Sequence, residues 1–259
     1  MVDLHSHILY GIDDGAKTLE DSTKIIDEAI ENGITDIFLT SHYILESDYI
    51  ANSETKRKIL TKLKNKYKNK INLHLGTEIY INNQIDELVQ ANEIATLASS
   101  KYLLIELPVW NEYPSLAKYL FQLQGKGYRI IIAHPERYQY FRNDFNKVLN
   151  LCKQGILFQG NYMSLFDTYG PHAKKMFEKM IQHQCYSFMA SDVHRSETKF
   201  YTKINKAYQK VSKLTSKEYA DKIFKTNGLK ILENQKIESD YQEKISFFNR
   251  IRGKIWQKK

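Results

Sequence analysis

Residues 2–15, VDLHSHILYGIDDG, alternate apolar and polar side chains at the start of the chain, which is the period of a β-strand. Two of the polar positions are His5 and His7. Side chains two apart on a strand share a face, so both imidazoles aim at one point. The paired carboxylates Asp13 and Asp14 follow shortly after. Such a strand makes sense as one contributor to a cluster whose other members arrive from elsewhere.

The rest of the chain repeats one strand–helix grammar. Strand-like runs fall at 2–8, 34–40, 71–77, 102–108, 128–134, 155–161 and 186–191. Helical patterns lie near 18–33, 53–69, 82–91, 114–125, 144–154, 172–184 and 198–235. The first of these offers Thr18 as N-cap and Gly33 as a stop, with Ile25, Ile26, Ala29 and Ile30 along one face. Strands alternating with helices predict an α/β fold with parallel strands. Seven such units without a Pro/Gly-rich linker favour one closed barrel over two domains. The expected division is a barrel over 1–238 and a basic tail over 239–259.

Composition narrows the class. At 259 residues and 42% hydrophobic content the chain can bury a substantial core. There is no signal-peptide pattern, and no apolar run reaches the ~18 residues that span a bilayer. Cys152 and Cys185 make no disulfide framework, which suits a reducing cytoplasm. The net charge of +8 resembles a nucleic-acid binder until it is located. Residues 53–70 are net +7 and residues 241–259 net +5, so the remainder is net −4. That distribution argues against a nucleic-acid partner, and 53–70 reads as a solvated helix face.

The unusual polar residues fall on the grammar in a consistent way. His5 and His7 lie on the first strand, His42 follows the second and Glu78 the third. Glu106 ends the fourth, His134 ends the fifth, and Asp192 and His194 follow the seventh. Six of seven strands thus deliver an imidazole or carboxylate at the carboxyl end, where parallel barrels build their sites. With Asp14 these nine side chains, lacking thiolate, suit two or three divalent ions such as manganese, iron, zinc, cobalt or magnesium. Glu106 sits within YLLIELPVW, and a carboxylate buried there is costly unless paired or metal-bound. His74, His172 and His183 read as structural or surface residues, and the two cysteines as small core residues.

HSH, DDG, TSH, GTEIY, IEL, AHPERY and SDVH, in that order, resemble the polymerase-and-histidinol-phosphatase (PHP) superfamily. Within it the chain is similar to the manganese-dependent protein tyrosine phosphatases of bacterial capsule and exopolysaccharide operons, the CpsB/YwqE type. The resemblance spans residues 1 to about 235 and implies a distorted seven-stranded (β/α)7 TIM-like barrel with three metals, manganese by expectation. It implies that His5, His7, Glu78 and Asp192 hold one ion, and that Glu78 bridges to a second held by Glu106 and His134. Asp14, His42 and His194 would hold the third and share in catalysis, and Arg137 would contact phosphate. A second family arginine a few residues beyond the last histidine has no match: Arg195 is adjacent to His194, and Lys199 stands at the later position. Lys cannot reproduce a bidentate guanidinium grip.

The chemistry also follows from the residues. Paired divalent ions lower the pKa of a shared water from ~15.7 toward neutrality, giving a hydroxide nucleophile for in-line attack on phosphorus. A tyrosyl leaving group, with a pKa of about 10, needs little acid assistance. A cysteine phosphatase loop needs Cys-x5-Arg, but Phe158 and Ser191 stand at the arginine positions after Cys152 and Cys185. Tyr43 and Tyr80, close to ligands in sequence, are candidates to flank a substrate ring. Competing readings are a small-molecule phosphomonoesterase of the histidinol-phosphatase type, a metal-dependent nuclease, and a scaffold without activity.

The resemblance implies as substrate a phosphotyrosine protein, the tyrosine-rich tail of a membrane-associated kinase. The chain ends in SFFNRIRGKIWQKK, where Phe247, Phe248, Ile251 and Ile255 share one helical face among basic residues. Such a segment can lie on an anionic membrane, placing the protein at the inner face of the membrane, or it can pack on the barrel.

Overall fold

Short apolar runs form nine strand segments within residues 1–241, the part of the chain that this computed structural model describes. They are β1 (Val2–Asp3), β2 (Asp36–Leu39), β3 (His42–Tyr43), β4 (Asn72–Leu75), β5 (Glu78–Tyr80), β6 (Tyr102–Glu106), β7 (Arg129–Ala133), β8 (Leu157–Asn161) and β9 (Phe188–Ala190). Every registered pair is parallel. The ladders make two sheets, β1-β2-β4 and β3-β5-β6-β7-β8-β9. The tail segment 242–259 expected from the sequence lies outside the described residues.

Two expected strands are split, and one is short. The second and third runs each continue after a break: β2 pairs with β4, then β3 with β5. Hydrogen bonds from Gly76 N to Leu39 O (3.0 Å) and Glu78 N to Thr40 O (2.8 Å) carry the pairing across the gap. Gly76 sits at that break because a Cβ there would come within 2.6 Å of Leu97 Cδ2. β1 ends at Asp3 rather than at residue 8. The Asp3 carboxylate takes over ladder positions, accepting from Ser191 N (3.0 Å), Ser191 Oγ (2.6 Å) and Tyr201 Oη (2.6 Å). Beyond it Ser6 bridges Val193 in parallel, and Asp192 N donates to His5 O at 2.9 Å.

Helices cover the strands as the sequence predicts. Helix α1 (Leu19–Glu31) starts at Thr18, whose side chain accepts from Asp21 N while the Asp21 carboxylate accepts from Thr18 N. It buries Ile25, Ile26 and Ala29. Helix α2 (Ser53–Lys66) turns most of its cations to solvent, with one correction to the solvated-face reading. Lys56 is buried, and its Nζ donates to Ser41 O (2.9 Å) and His42 O (3.1 Å). The run 198–235 is not one helix but several, including Ile204–Leu214, Lys217–Asp221 and Asn227–Leu232.

Both faces of the strands are buried, which is why their sequences read as continuous apolar runs. Leu103, Ile105, Ile130, Ile132 and Phe158 pack outward in one large cluster with the helices. Tyr102, Leu104, Ile131, Ala133 and Leu157 belong to a separate, smaller cluster with Val2, Phe38 and Ile231. The carboxyl ends of the strands are left for the polar residues. Among the described residues no helix is long and apolar enough to cross a membrane.

Candidate metal centre

Glu78, the first residue of β5, is the hub. Its Oε2 lies 3.1 Å from His5 Nε2, 3.2 Å from His7 Nε2 and 3.0 Å from His42 Nδ1, and its Oε1 lies 2.9 Å from His134 Nε2. Asp192 Oδ1 stands 3.3 Å from the Nε2 atoms of both His5 and His7. Glu106 Oε2 is 3.7 Å from His42 Nδ1. Asp14 Oδ1 closes the outer side, 3.7 Å from His42 Nε2 and 3.5 Å from His194 Nε2. All nine side chains singled out in the sequence therefore meet at the carboxyl ends of the strands. Their grouping is more shared than one set per ion: His7 gathers with Asp14, His42 and His194, and His42 also gathers with Glu78 and Glu106.

Local backbone geometry aims these groups. His134 (φ +32°) and Asp192 (φ +54°) are left-handed non-glycine residues just beyond β7 and β9. Such conformations cost on the order of 1–3 kcal/mol each and persist where the surroundings impose them. Gly15 lets the DDG turn close on the first strand: a Cβ there would lie 2.1 Å from His7 O.

A layer of supporting residues escaped the sequence reading. Asp13 Oδ2 lies 2.8 Å from His7 Nδ1 and accepts from His42 N at 2.8 Å, while its Oδ1 accepts from Gly15 N at 3.0 Å. His5 Nδ1 lies 2.8 Å from Gln159 Oε1, Gln159 donates to Asn161 Oδ1 (2.8 Å), and Asn161 Nδ2 donates to Asp192 Oδ2 (2.7 Å). With Nδ1–H given to an oxygen, each imidazole turns its Nε2 toward the cluster, the usual arrangement behind a metal-ligating histidine. The DDG motif showed two carboxylates but not which one reaches inward, and a glutamine inside GILFQGN was the only sign of the other support. Asp13→Asn is expected to lower metal affinity 10- to 100-fold, as a metal titration would measure. Unchanged affinity would show that Asp13 does not orient His7.

The electrostatics fit a site for cations. Burial and the neighbouring Glu78 push Glu106 up to about 7. Against the cost of burial, Glu78 and Asp192 raise His5 to about 9, while burial and the nearby Arg137 lower His134 to about 4. Glu78 Oε2 and His42 Nδ1 are buried and make no hydrogen bond, although they stand 3.0 Å apart. Orphaned donor atoms and crowded carboxylates are what divalent cations satisfy. Imidazole and carboxylate without thiolate fit the borderline-to-hard ions.

Arg137 borders this cluster. Its guanidinium lies 5.2 Å from the Tyr169 ring centre, and one Nη is 3.4 Å from Asp192 Oδ2. Tyr49 stacks on His42 with ring centres 6.0 Å apart. Of the two tyrosines expected at the rim, Tyr43 is instead buried in the core because β3 points it inward, whereas Tyr80 is half-buried. Arg195 shares a cavity with His194 and Gly15, while Lys199 shares another with Asp27, Glu28 and Glu31 of α1. His74 pairs with Asp36 at 3.0 Å, and both cysteines are buried.

Comparison with known proteins agrees with this geometry. The family described as capsular polysaccharide synthesis, CpsB/CapC, matches residues 1–233. CapC of Staphylococcus aureus is 34% identical over 259 residues, covering 95% of this chain and 99% of its own. The tyrosine-protein phosphatase YwqE of Bacillus subtilis is 32% identical over 209 residues, 78% of this chain and 81% of YwqE. A solved structure from work on YwqE of Bacillus subtilis and CpsB of Streptococcus pneumoniae, described as metal-dependent tyrosine phosphatases, has a TM-score of 0.82. It is 27% identical and covers 93% of this chain and 97% of its own.

Proposed function

The chain belongs to the CpsB/CapC capsular polysaccharide synthesis family, and on that premise we propose that it is a metal-dependent protein-tyrosine phosphatase using water as the nucleophile. The observation that carries this is the convergence of eight imidazole and carboxylate side chains around Glu78, nine with it, beside the Arg137 guanidinium. His5, His7, Glu78 and Asp192 would hold one divalent ion, Glu78, Glu106 and His134 a second, and Asp14, His42 and His194 a third. Manganese is the favoured metal, with iron, zinc, cobalt and magnesium compatible with the same donors. When bound, such ions acidify water and neutralise phosphate oxygens.

The chain's own groups do the rest. Arg137 grips phosphate through its planar donors and stays charged throughout. Tyr169, beneath Arg137, and Tyr49, stacked on His42, supply aromatic surface at the edge of the cluster for a phenyl ring. His194 Nδ1 donates to Asp192 O at 2.9 Å, so its Nε2 is left facing Asp14 at the solvent edge. That edge is open to solvent, from which the departing phenolate, with a pKa of about 10 and little need of acid assistance, takes its proton.

The finer reading is of one distorted seven-stranded barrel acting in the cytoplasm on the tyrosine-rich tail of a kinase that controls capsule or exopolysaccharide synthesis. The test is turnover of a phosphotyrosine peptide, histidinol phosphate and a phosphodiester, each with and without manganese. Manganese-dependent preference for the peptide supports the reading; preference for either other substrate replaces it. The basic segment 241–259 would draw the protein to the membrane where such a kinase resides. The full chain is expected to sediment with anionic vesicles at low salt, and a chain ending at Asp240 is not. Equal sedimentation of the two would dismiss the membrane contact.

A further inference from the structure

We propose that a basic cavity next to the Arg137 turn binds a second anionic side chain of the substrate, several residues from the phosphotyrosine. This rests on the phosphatase reading above. The helix Gly170–Gln182 begins one residue after Tyr169, over whose ring the Arg137 guanidinium lies. His172, Lys175 and Lys179 follow at spacings of three and four, so they form one stripe on that helix. The stripe faces the short helix Gln139–Asn143, which contributes Arg142 and Asn143. Together they line a cavity of about 420 Å³ in which no carboxylate takes part.

Arg142 ties the cavity to the site. One of its Nη atoms donates to Arg137 O (2.7 Å) and to Glu136 O (3.3 Å), so the cavity backs directly onto the turn that carries the phosphate-binding arginine. Other cations nearby are already committed: Lys174 pairs with Asp167 at 2.7 Å, and Lys147 with Glu112. Lys175 has no ion-pair partner among the described residues. Lys179 instead packs its ammonium 4.1 Å from the Phe145 ring centre. Three cations and an imidazole without a counter-charge match a phosphate dianion or, less fully, a carboxylate.

The spacing sets the register. At about 1.5 Å rise per residue, Lys175 and Lys179 lie roughly 9 and 15 Å along the helix from Tyr169. An extended peptide advances about 3.3 Å per residue, so the second anion falls roughly three to five residues from the scissile phosphotyrosine.

The experiment uses the full, metal-loaded chain and peptides with one hydrolysable phosphotyrosine. At the fourth position on either side they carry glutamine, glutamate or a phosphonate analogue of phosphotyrosine. Each kcat/KM is normalised to that for free phosphotyrosine, which does not reach the cavity. A phosphonate on one side is expected to lower KM about tenfold relative to glutamine with kcat unchanged, and glutamate to give a smaller gain. The double variant Lys175→Gln/Lys179→Gln should erase that preference. A preference that is absent, or that survives the double variant, overturns the proposal. So does a double variant that loses only binding to anionic vesicles or to an oligonucleotide. If free phosphotyrosine itself is not hydrolysed, the phosphatase reading has failed. Fluorescence anisotropy with a peptide carrying two phosphonates then still measures whether Lys175 and Lys179 bind the second anion.

Discussion

Glu78→Ala is expected to lower turnover of a phosphotyrosine peptide by about 10³-fold or more and to strip metal from the purified chain. Glu78 touches four of the imidazoles, His5, His7, His42 and His134, within 3.2 Å. Metal assistance is worth several kcal/mol in the transition state, and each 1.36 kcal/mol is tenfold in rate. Glu78→Gln keeps the volume while removing the charge, so it separates loss of ligation from loss of packing. Elemental analysis of metal content beside the kinetics reads both. Chelation of the parent should reproduce the loss. Thiol alkylation should not, because Cys152 and Cys185 are buried away from the cluster. Full activity and full metal content in Glu78→Gln would remove Glu78 from the ligand set, and full activity of the parent after chelation would end the metal reading. The pH dependence has a definite sign. In the metal-free chain His5 stays protonated up to about 9, and an incoming ion must displace that proton. Against the cost of burial, Asp13 raises His7 well above its ordinary value, and that proton must be lost too. Apparent metal affinity therefore rises with pH through about 9.

Much of this site was legible because its residue types are conspicuous where they stand. Two histidines two apart on a strand are ordinary taken alone, but an imidazole or carboxylate at the end of six of seven repeated strands is not. A carboxylate at the end of YLLIE is costly unless paired or metal-bound. The supports were hidden for the opposite reason. Asp3, Asp13 and Gln159 each look like one ordinary polar residue, and only the fold shows that Asp3 caps Ser191, Asp13 orients His7 and Gln159 orients His5. Strand lengths were overestimated because hydrophobic periodicity records burial, not backbone pairing. Residues 4–8 are buried, yet the Asp3 side chain takes Ser191 N from the ladder and the pairing resumes only as an isolated bridge at Ser6. Tyr49 was missed because it comes from a loop whose path no periodicity encodes, while Tyr43, adjacent to a ligand, faces the core.

Arg137→Ala is expected to leave metal content unchanged and lower kcat/KM for a phosphotyrosine peptide roughly 10²-fold, about 3 kcal/mol. The turn that presents Arg137 is built to be rigid. Glu136 is fully buried, with Oε1 accepting from Asn161 N and Ser164 Oγ at 2.9 Å each, and Oε2 from Tyr186 Oη at 2.9 Å. Burial, only partly offset by these donors, pushes Glu136 up to about 7, so this carboxyl is costly to keep and is retained for the turn it anchors. Arg142 braces the same turn from behind. A guanidinium held this way loses little freedom on gripping phosphate, and its planar donors match two oxygens at once. Asp192 is not left unpaired by the substitution, because Asn161 Nδ2 still donates to its Oδ2 at 2.7 Å. The metal cluster should therefore survive, and the loss should report on phosphate binding alone. Arg137→Lys should recover only part of the rate, since an ammonium restores the charge but not the two-point grip. Inhibition by inorganic phosphate should weaken in step with kcat/KM across the three proteins. An alanine variant as active as the parent, with phosphate inhibition unchanged, would reduce Arg137 to a partner of Asp192 and Tyr169.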